Sequence, residues 1–238
     1  ERQAQSMLTM TEKRYGPDHP RLTLPLSDLG RIAEDRGRAD EAVRWHRRAL
    51  DIAIAAYGPN APEVLAHRNN LAIALQTAGD LEGGTRELRE VYAVRVSQDG
   101  ANALVTGSVA QNLGTALVRS GTYNEAEKYL AIAERVFARN LPDGNPRRMF
   151  PALTRSEMRL AQRRWREAEA EAARALGGLK TALPAGHYAI ATAQCRLAIA
   201  RLERGDSKAL PLLREAVAAL EAEEAPDIYR APCRAALG

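Results

Sequence analysis

The chain has 238 residues, and its 34 lysines and arginines nearly balance its 30 aspartates and glutamates, which leaves a formal net charge of +4. This mixed charge is only a weak sign of polyanion binding. Aromatic residues make up 5% of the chain, so packing must rely on small side chains, which suits closely spaced helices. No apolar run approaches the ~18 residues of a membrane span, and no signal peptide opens the chain.

The two cysteines, Cys195 and Cys233, lie far apart in the sequence. They form no CxxC motif and no metal-ligand spacing, so the sequence predicts two buried or half-buried thiols without a disulfide. Free thiols are typical of a reducing compartment. We therefore expect a cytoplasmic protein.

The first stretch of the chain, residues 3–14, carries apolar residues on a helical pattern and runs directly into a turn signal. It has the form of the second helix of a helix pair, and it opens without an initiator methionine. We therefore expect residues 1–14 to be the second helix of a preceding repeat in a longer protein.

A connector that appears twice sets the period of the chain. The sequence Tyr-Gly-Pro-Asp-His-Pro at residues 15–20 returns as Tyr-Gly-Pro-Asn-Ala-Pro at residues 57–62, a shift of 42 (57 − 15). Glycines at positions 37, 79, 121 and 205 follow the same period, and Arg163 stands in the fourth place of that series. A period between about 20 and 50 residues indicates a solenoid or array.

Repeat one shows how each period divides into two helices. Leu22, Leu26, Leu29 and Ala33 form an apolar stripe that predicts a first helix ending at Gly37. The acidic pair at residues 40–41 opens the second helix. A uniformly small residue recurs on each helix and allows the two helices to approach closely; the series are Gly30, Ala72, Gly114, Ser156 and Ala198 on the first helix, and Ala42, Gly84, Ala126 and Ala168 on the second.

The register predicts an all-α protein, an α-solenoid of antiparallel helix pairs with about five repeats after the leading half repeat. We expect one domain over residues 1–238. The predicted repeats are 20–57, 62–99, 103–140, 146–182 and 187–222, followed by a C-terminal cap at 225–238. Pro25 and Pro151 share one phase of the repeat, so the first helices of repeats one and four should begin late or kink there.

Repeat four departs from the pattern. It lacks the turn glycine, and it carries Arg155 and Arg159 where leucines stand in other repeats. Acidic residues interleave with its arginines, so this region favours an acidic partner segment over nucleic acid, which usually needs clustered cations. The cluster contains Arg147, Arg148, Arg155, Arg159, Arg163, Arg164, Arg166 and Arg174 against Glu157, Glu167, Glu169 and Glu171.

No motif of catalysis, nucleotide binding or zinc binding occurs in the chain. The four histidines are isolated along the sequence, and His46 takes a position that other repeats fill with Leu88, Leu130 and Leu213. We therefore expect His46 to be packed in the core. The sequence predicts no enzyme activity, no cofactor and no metal.

The motif Asn112-Leu113-Gly114, the run Gly-Thr-Tyr-Asn-Glu-Ala at residues 121–126, and Ala133 resemble the tetratricopeptide repeat. The common form has about 34 residues. The period of 42 and the connector are similar to those of the kinesin light chain type of repeat, which is widespread in bacterial proteins. This resemblance implies a right-handed superhelix whose first helices line a concave groove for peptides or partner segments.

The resemblance also implies which residues face the groove. Asn70 and Asn112, one period apart, could hold the main chain of an extended peptide between their amides. In the alternative, both asparagines are solvated or satisfy the preceding connector. The groove positions are Ser27, Asp28 and Arg31 in repeat one, Asn69, Asn70, Ile73 and Gln76 in repeat two, Gln111, Asn112, Thr115 and Arg119 in repeat three, Phe150, Leu153, Thr154, Glu157 and Leu160 in repeat four, and Cys195, Arg196 and Ile199 in repeat five.

Three functions are compatible with the sequence. The first is a non-catalytic module that binds a peptide or protein segment, with an acidic segment as one candidate. The second is the regulatory or oligomerising part of a multidomain bacterial signalling protein, such as a serine/threonine kinase or a transcription regulator, whose array binds another domain of the same protein. The third is nucleic-acid binding through the arginines of repeat four. We expect no membrane partner.

Overall fold

The computed structural model describes residues 1–223, 225 and 227–237, and within these residues all regular secondary structure is helical. This confirms the predicted all-α solenoid fold. The helices are α1 (Arg2–Tyr15), α2 (Thr23–Asp35), α3 (Ala39–Tyr57), α4 (Pro62–Thr77), α5 (Leu81–Asp99), α6 (Leu104–Arg119), α7 (Tyr123–Asn140), α8 (Phe150–Ala161), α9 (Trp165–Ala182), α10 (Tyr188–Glu203), α11 (Leu210–Ala222) and α12 (Asp227–Ala235).

The chain divides into two compact units, residues 1–101 and residues 102–238. Unit 1 contains α1 to α5, and unit 2 contains α6 to α12. Within each unit, successive helices pack against one another. That residues 1–238 form one domain with the repeat bounds given above stays a prediction.

The turn between the two helices of a repeat has one geometry throughout. Gly37 and Gly121 have φ angles of 69° and 75°, and Arg163 adopts the same left-handed region with a φ of 57°. In each case the next N–H donates to the carbonyl five residues earlier; the N to O distance is 2.8 Å from Arg38 to Ala33 and from Arg164 to Arg159. This is the Schellman closure of a helix, so repeat four keeps the turn without its glycine.

The first helices of repeats one and four begin late, as the shared proline phase predicts. A 3₁₀ turn at Pro20–Leu22 precedes α2, and another at Pro146–Met149 precedes α8. The Nδ1 atom of His19 and the Oδ1 atom of Asn145 accept backbone N–H groups that open these turns, at 3.2 and 3.0 Å. Each side chain therefore satisfies a donor that a helix start leaves without a partner.

Small residues bring the paired helices close together, as predicted. In unit 1, a β-carbon on Gly84 would lie 2.7 Å from the carbonyl oxygen of Ala72. In unit 2, a β-carbon on Gly114 would lie 2.7 Å from a methyl carbon of Leu130. The glycines at the start of α5 do not delay that helix, because Asp80 caps it by accepting the N–H of Gly83 at 2.8 Å.

The expectation of two free thiols is wrong, because Cys195 of α10 and Cys233 of α12 form a disulfide across 38 residues. Both cysteines are buried in an apolar cluster that also contains Leu213, Val217 and Leu220. The predicted C-terminal cap is a helix, α12, although Pro226 and Gly238 of the predicted range 225–238 lie outside the described residues. Disulfides persist in oxidising compartments, so the cysteines no longer support a cytoplasmic location.

Within the described ranges, every helix falls short of the length and apolarity that crossing a membrane takes.

Candidate functional site

A cavity of about 260 Å³ in unit 1 brings together residues of the predicted groove. Ser27, Asp28 and Arg31 reach it from α2, and Asn70 and Ile73 reach it from α4. Glu34 of α2 and His46 of α3 complete the lining. The sequence analysis did not name Glu34, and it assigned His46 to packing alone.

His46 enters this cavity from behind α2. Its residue surface is only 2% exposed, so it is packed as predicted. Gly30 makes room for the ring, since a β-carbon there would lie 2.5 Å from Nε2 of His46. Nε2 lies 3.4 Å from Oε1 of Glu34. Among the described residues, however, the two ring nitrogens of His46 make no hydrogen bond, and Oε1 of Glu34 makes none either.

His67 of α4 contacts the residues around the cavity. Its Nδ1 lies 3.3 Å from the hydroxyl oxygen of Ser27. Burial lowers the pKa of the His67 imidazole below its ordinary value of 6.5, and the charge of nearby His46 lowers it further, while Glu63 acts in the opposite direction. The neutral ring is therefore favoured. Its Nδ1 atom donates to the Ser27 hydroxyl in one tautomer and accepts from it in the other.

Charges at the cavity mouth are loosely paired. Arg31 lies 3.9 Å from Asp28 and 3.6 Å from Asp35, and its side chain is 64% exposed. Exposed pairs of this kind contribute about 0–1 kcal/mol. Ile73, which is 37% exposed, adds an apolar side chain to this otherwise polar lining.

Two predicted groove residues of unit 1 do not line this cavity. Gln76 is buried, and its side chain lies close to Gly84 of α5. Asn69 is half-buried, and both residues interact with other groups of the protein.

In unit 2, the predicted polar residues of α6 form an internal cluster with α8. The Nε2 group of Gln111 donates to the hydroxyl oxygens of Thr154 at 2.9 Å and Thr115 at 3.2 Å. Gln111 is buried. Asn112 and Arg119 are half-buried and also have internal partners. Because Asn70 and Asn112 belong to different units, the idea that they bracket one peptide stays a prediction.

The predicted apolar residues of repeat four lie mainly in packing contacts. Leu153 is buried and Phe150 is partly buried in a cluster with Leu179 and Ile190. Leu160 is half-buried. Arg196 donates to the carbonyl of Leu153 and to the carboxylate of Glu157, both at 2.5 Å.

The arginines of repeat four are largely engaged by glutamates of the same unit. Arg155, whose side chain is 7% exposed, donates to Glu127 at 2.7 Å and Glu134 at 2.6 Å. Arg159 and Arg174 add hydrogen bonds to the same two carboxylates. Burial acts to raise the pKa of Glu134, but the hydrogen bonds from Arg174 and Arg155 outweigh it and hold that pKa below its ordinary value.

A second, shallower cavity of about 500 Å³ lies at the turn of repeat four. Arg163, Arg166 and Trp165 line it together with Arg204, and the carboxylate of Glu167 lies among them. Glu167 accepts two hydrogen bonds from Arg164, at 2.7 and 2.6 Å. Cations and acids therefore remain interleaved here, as the sequence indicated.

Comparison with protein families identifies the repeat. The tetratricopeptide repeat model matches residues 21–83, which span α2 to α4 and the start of α5. No curated protein sequence matches the chain.

Solved structures share the fold over most of the chain. A Podosopora anserina protein described as a kinesin light chain with nearly identical TPR-like repeats has a TM-score of 0.65 at 21% identity, covering 87% of this chain and 99% of its own. BtubC (BKLC) from P. vanneervenii has a TM-score of 0.69 at 15% identity, covering 94% and 89%. A Rap protein complexed with competence and sporulation factor has a TM-score of 0.64 at 13% identity, covering 99% and 70%.

The TM-scores and coverages show the shared fold, and the family model shows the repeat type over residues 21–83. Residues 21–83 therefore carry the tetratricopeptide repeat pattern, and the chain shares the fold of the kinesin light chain-like repeat proteins.

Proposed function

We propose that this chain is a non-catalytic protein–protein interaction module that binds a segment of a partner protein along the first helices of its repeats. The observation that carries the proposal is the cavity of unit 1, where five side chains predicted to face a groove meet around one concave space. Several polar side chains converge there beside the apolar Ile73, and polar groups that converge in a concave site fix the orientation of a ligand.

The structural comparison is compatible with this proposal. The Rap protein of similar fold is described in complex with competence and sporulation factor. One fold supports many functions, so the proposal depends on the cavity and not on that neighbour.

The pair of Ser27 and His67 does not support catalysis. A serine nucleophile needs a base that a third group orients. Among the described residues, His67 has its contact with Ser27, but its ring makes no hydrogen bond to Glu63 or another carboxylate that would orient it. The described part of the chain also contains no group of three or more histidine, cysteine, aspartate or glutamate side chains arranged to hold a metal.

The other two functions differ in their support. A role as the regulatory part of a multidomain bacterial signalling protein stays a prediction, and so does a cytoplasmic location. Nucleic-acid binding by repeat four is less favoured, because Arg155, Arg159 and Arg174 are committed to glutamates. The same pairing weakens the case for an acidic segment docking on these arginines.

Selection of random linear peptides displayed on phage would test the proposal. We expect enriched peptides that bind the wild type and lose about tenfold or more in affinity to the double variant Asn70→Ala/Ile73→Ala. The control is Asp51→Asn, an exposed residue of α3 outside the cavity lining. Failure to enrich any peptide over a selection without protein, or equal binding to the double variant, would contradict the proposal.

A further inference from the structure

The cavity of unit 1 contains buried polar atoms that have no hydrogen-bond partner within the described residues. They are both ring nitrogens of His46 and the Oε1 atom of Glu34. Buried polar groups are nearly always satisfied, and leaving one unsatisfied costs its full desolvation free energy. Both residues belong to the lining of the cavity.

The two side chains do not satisfy each other. Nε2 of His46 and Oε1 of Glu34 are 3.4 Å apart without a hydrogen bond between them. The ring lies against Gly30, where a β-carbon would come within 2.5 Å of it. The histidine is therefore held at the base of the cavity, and both of its buried ring nitrogens are without a hydrogen-bond partner among the described residues.

The charges around this base favour a cation. Asp28 and Glu34 line the cavity, and Arg31 is the cation among the lining residues. Arg31 lies on the solvent side with its side chain 64% exposed, closer to Asp35 than to Asp28. Arg31 therefore does not pair with Glu34, whose carboxylate has its contact with His46.

We propose that this cavity binds the guanidinium group of an arginine side chain from the partner segment. Oε1 of Glu34 and a ring nitrogen of His46 accept its N–H groups, Asp28 adds negative charge, and Ile73 packs against the alkyl stem. Arginine fits better than lysine because its planar fork presents several N–H donors and is less strongly hydrated. The inference rests on the proposed function, since it names the chemistry that the same site recognises.

An NMR titration with N-acetyl-arginine amide tests this inference. The matched control is N-acetyl-citrulline amide, which has nearly the same shape but no charge. We expect saturable shifts of the Ile73 methyl and His46 ring signals with the arginine amide. The citrulline amide should bind more weakly by about tenfold or more. Equal binding of citrulline, equal binding of N-acetyl-lysine amide, or stronger binding of N-acetyl-glutamate amide would overturn the inference.

Two variants test the assigned acceptors. Glu34→Gln should weaken the arginine response by about tenfold or more, whereas Asp51→Asn should leave it unchanged. Circular dichroism checks that both variants are folded. If Glu34→Gln unfolds, Asp28→Asn takes its place and should also weaken the response. A folded carboxylate variant that binds arginine as the wild type does would overturn the inference.

The peptide selection separates this inference from the proposed function. If peptides without arginine are enriched and depend on Asn70 and Ile73, the proposed function stands and the arginine site is wrong. If peptides are enriched in arginine and lose affinity when that arginine becomes citrulline, both are supported. If no peptide is enriched although the arginine amide shifts the cavity signals, the arginine site stands and the proposed function fails.

Discussion

Arg163 occupies a left-handed turn conformation that the other repeats give to glycine. A residue with a β-carbon destabilises the folded state by about 1–2 kcal/mol in this conformation. A glycine costs about 0.5–1 kcal/mol instead, because its unfolded chain has more conformational entropy to lose. The difference predicts that Arg163→Gly raises the free energy of unfolding by about 0.5–1 kcal/mol. Urea denaturation followed by circular dichroism measures the change.

Gly121 provides the matched control for Arg163. Its φ is 75°, and no atom lies within 4 Å of the place where a β-carbon would stand. Gly121→Ala should therefore destabilise the protein by about 0.5–1 kcal/mol through conformation alone. If both substitutions change stability in the same direction, the strain assigned to Arg163 does not exist.

The half-buried His67 should make the stability of the protein depend on pH. Burial holds the pKa of His67 below 6.5, so the unfolded chain takes up the proton before the folded protein does. The stability present above pH 6.5 is then lost as the pH falls below that value towards the lowered pKa of the folded protein. We expect the free energy of unfolding to fall more steeply over this range for the wild type than for His67→Gln.

The control for this measurement is Ile73→Ala, on the same helix, which changes no titratable group. Its pH profile should run parallel to that of the wild type. His46 and Glu63 both act on His67 and stay in all three proteins, so subtraction isolates the contribution of His67. Parallel profiles for the wild type and His67→Gln would show that burial does not perturb this imidazole.

At the candidate site, the sequence could predict the residues that one helix face carries, but not those that enter from behind. Ser27, Asp28 and Arg31 follow from helical spacing on α2. His46 reaches the cavity because Gly30 leaves a gap for its ring. To predict this contact from the sequence, the small-residue series of the first helices must be aligned with the leucine series of the second helices. Glu34 follows the same helical spacing, but its missing partner is visible only in three dimensions.

At the scale of the elements, the periodicity of apolar residues predicts helix positions well, because each helix must bury one stripe. The exception is Arg155, which takes a leucine position yet is as buried as its neighbours, since Glu127 and Glu134 satisfy its guanidinium. The helices therefore still pack although an arginine takes the place of a leucine. A sequence pattern shows the loss of the leucine but not the compensating acids on another helix.

The leucine series tests whether the predicted register holds the helices together. Leu71 of α4 is fully buried and packs with Leu50, Ala53 and Val64. Leu71→Ala removes these contacts and leaves a cavity, which should cost about 2–5 kcal/mol in the free energy of unfolding. The control Ile73→Ala, two residues away and 37% exposed, should cost less than about 1 kcal/mol. A loss below about 0.5 kcal/mol for Leu71→Ala would contradict the packing account.

At the scale of the whole molecule, the repeat period explains the fold until the period itself ends. The disulfide lies beyond this point, because α12 follows the last repeat and folds back onto α10 and α11. Two cysteines separated by 38 residues give no signal in a sequence whose repeat is 42. The arrangement of the last helix, which no repeat determines, decides whether they meet.

The disulfide acts on the whole chain, because it restricts the unfolded state. Closing a loop across 38 residues removes conformational entropy, which corresponds to about 3–4 kcal/mol of stability. Complete reduction should therefore lower the free energy of unfolding by about this amount in denaturation followed by the fluorescence of Trp165 in a Trp45→Phe background. The double variant Cys195→Ala/Cys233→Ala should be equally destabilised or more, and should not respond to the reductant. If titration shows two free thiols and the transition is unchanged, the cross-link does not stabilise the protein, and the packing of α12 alone must secure the end of the array.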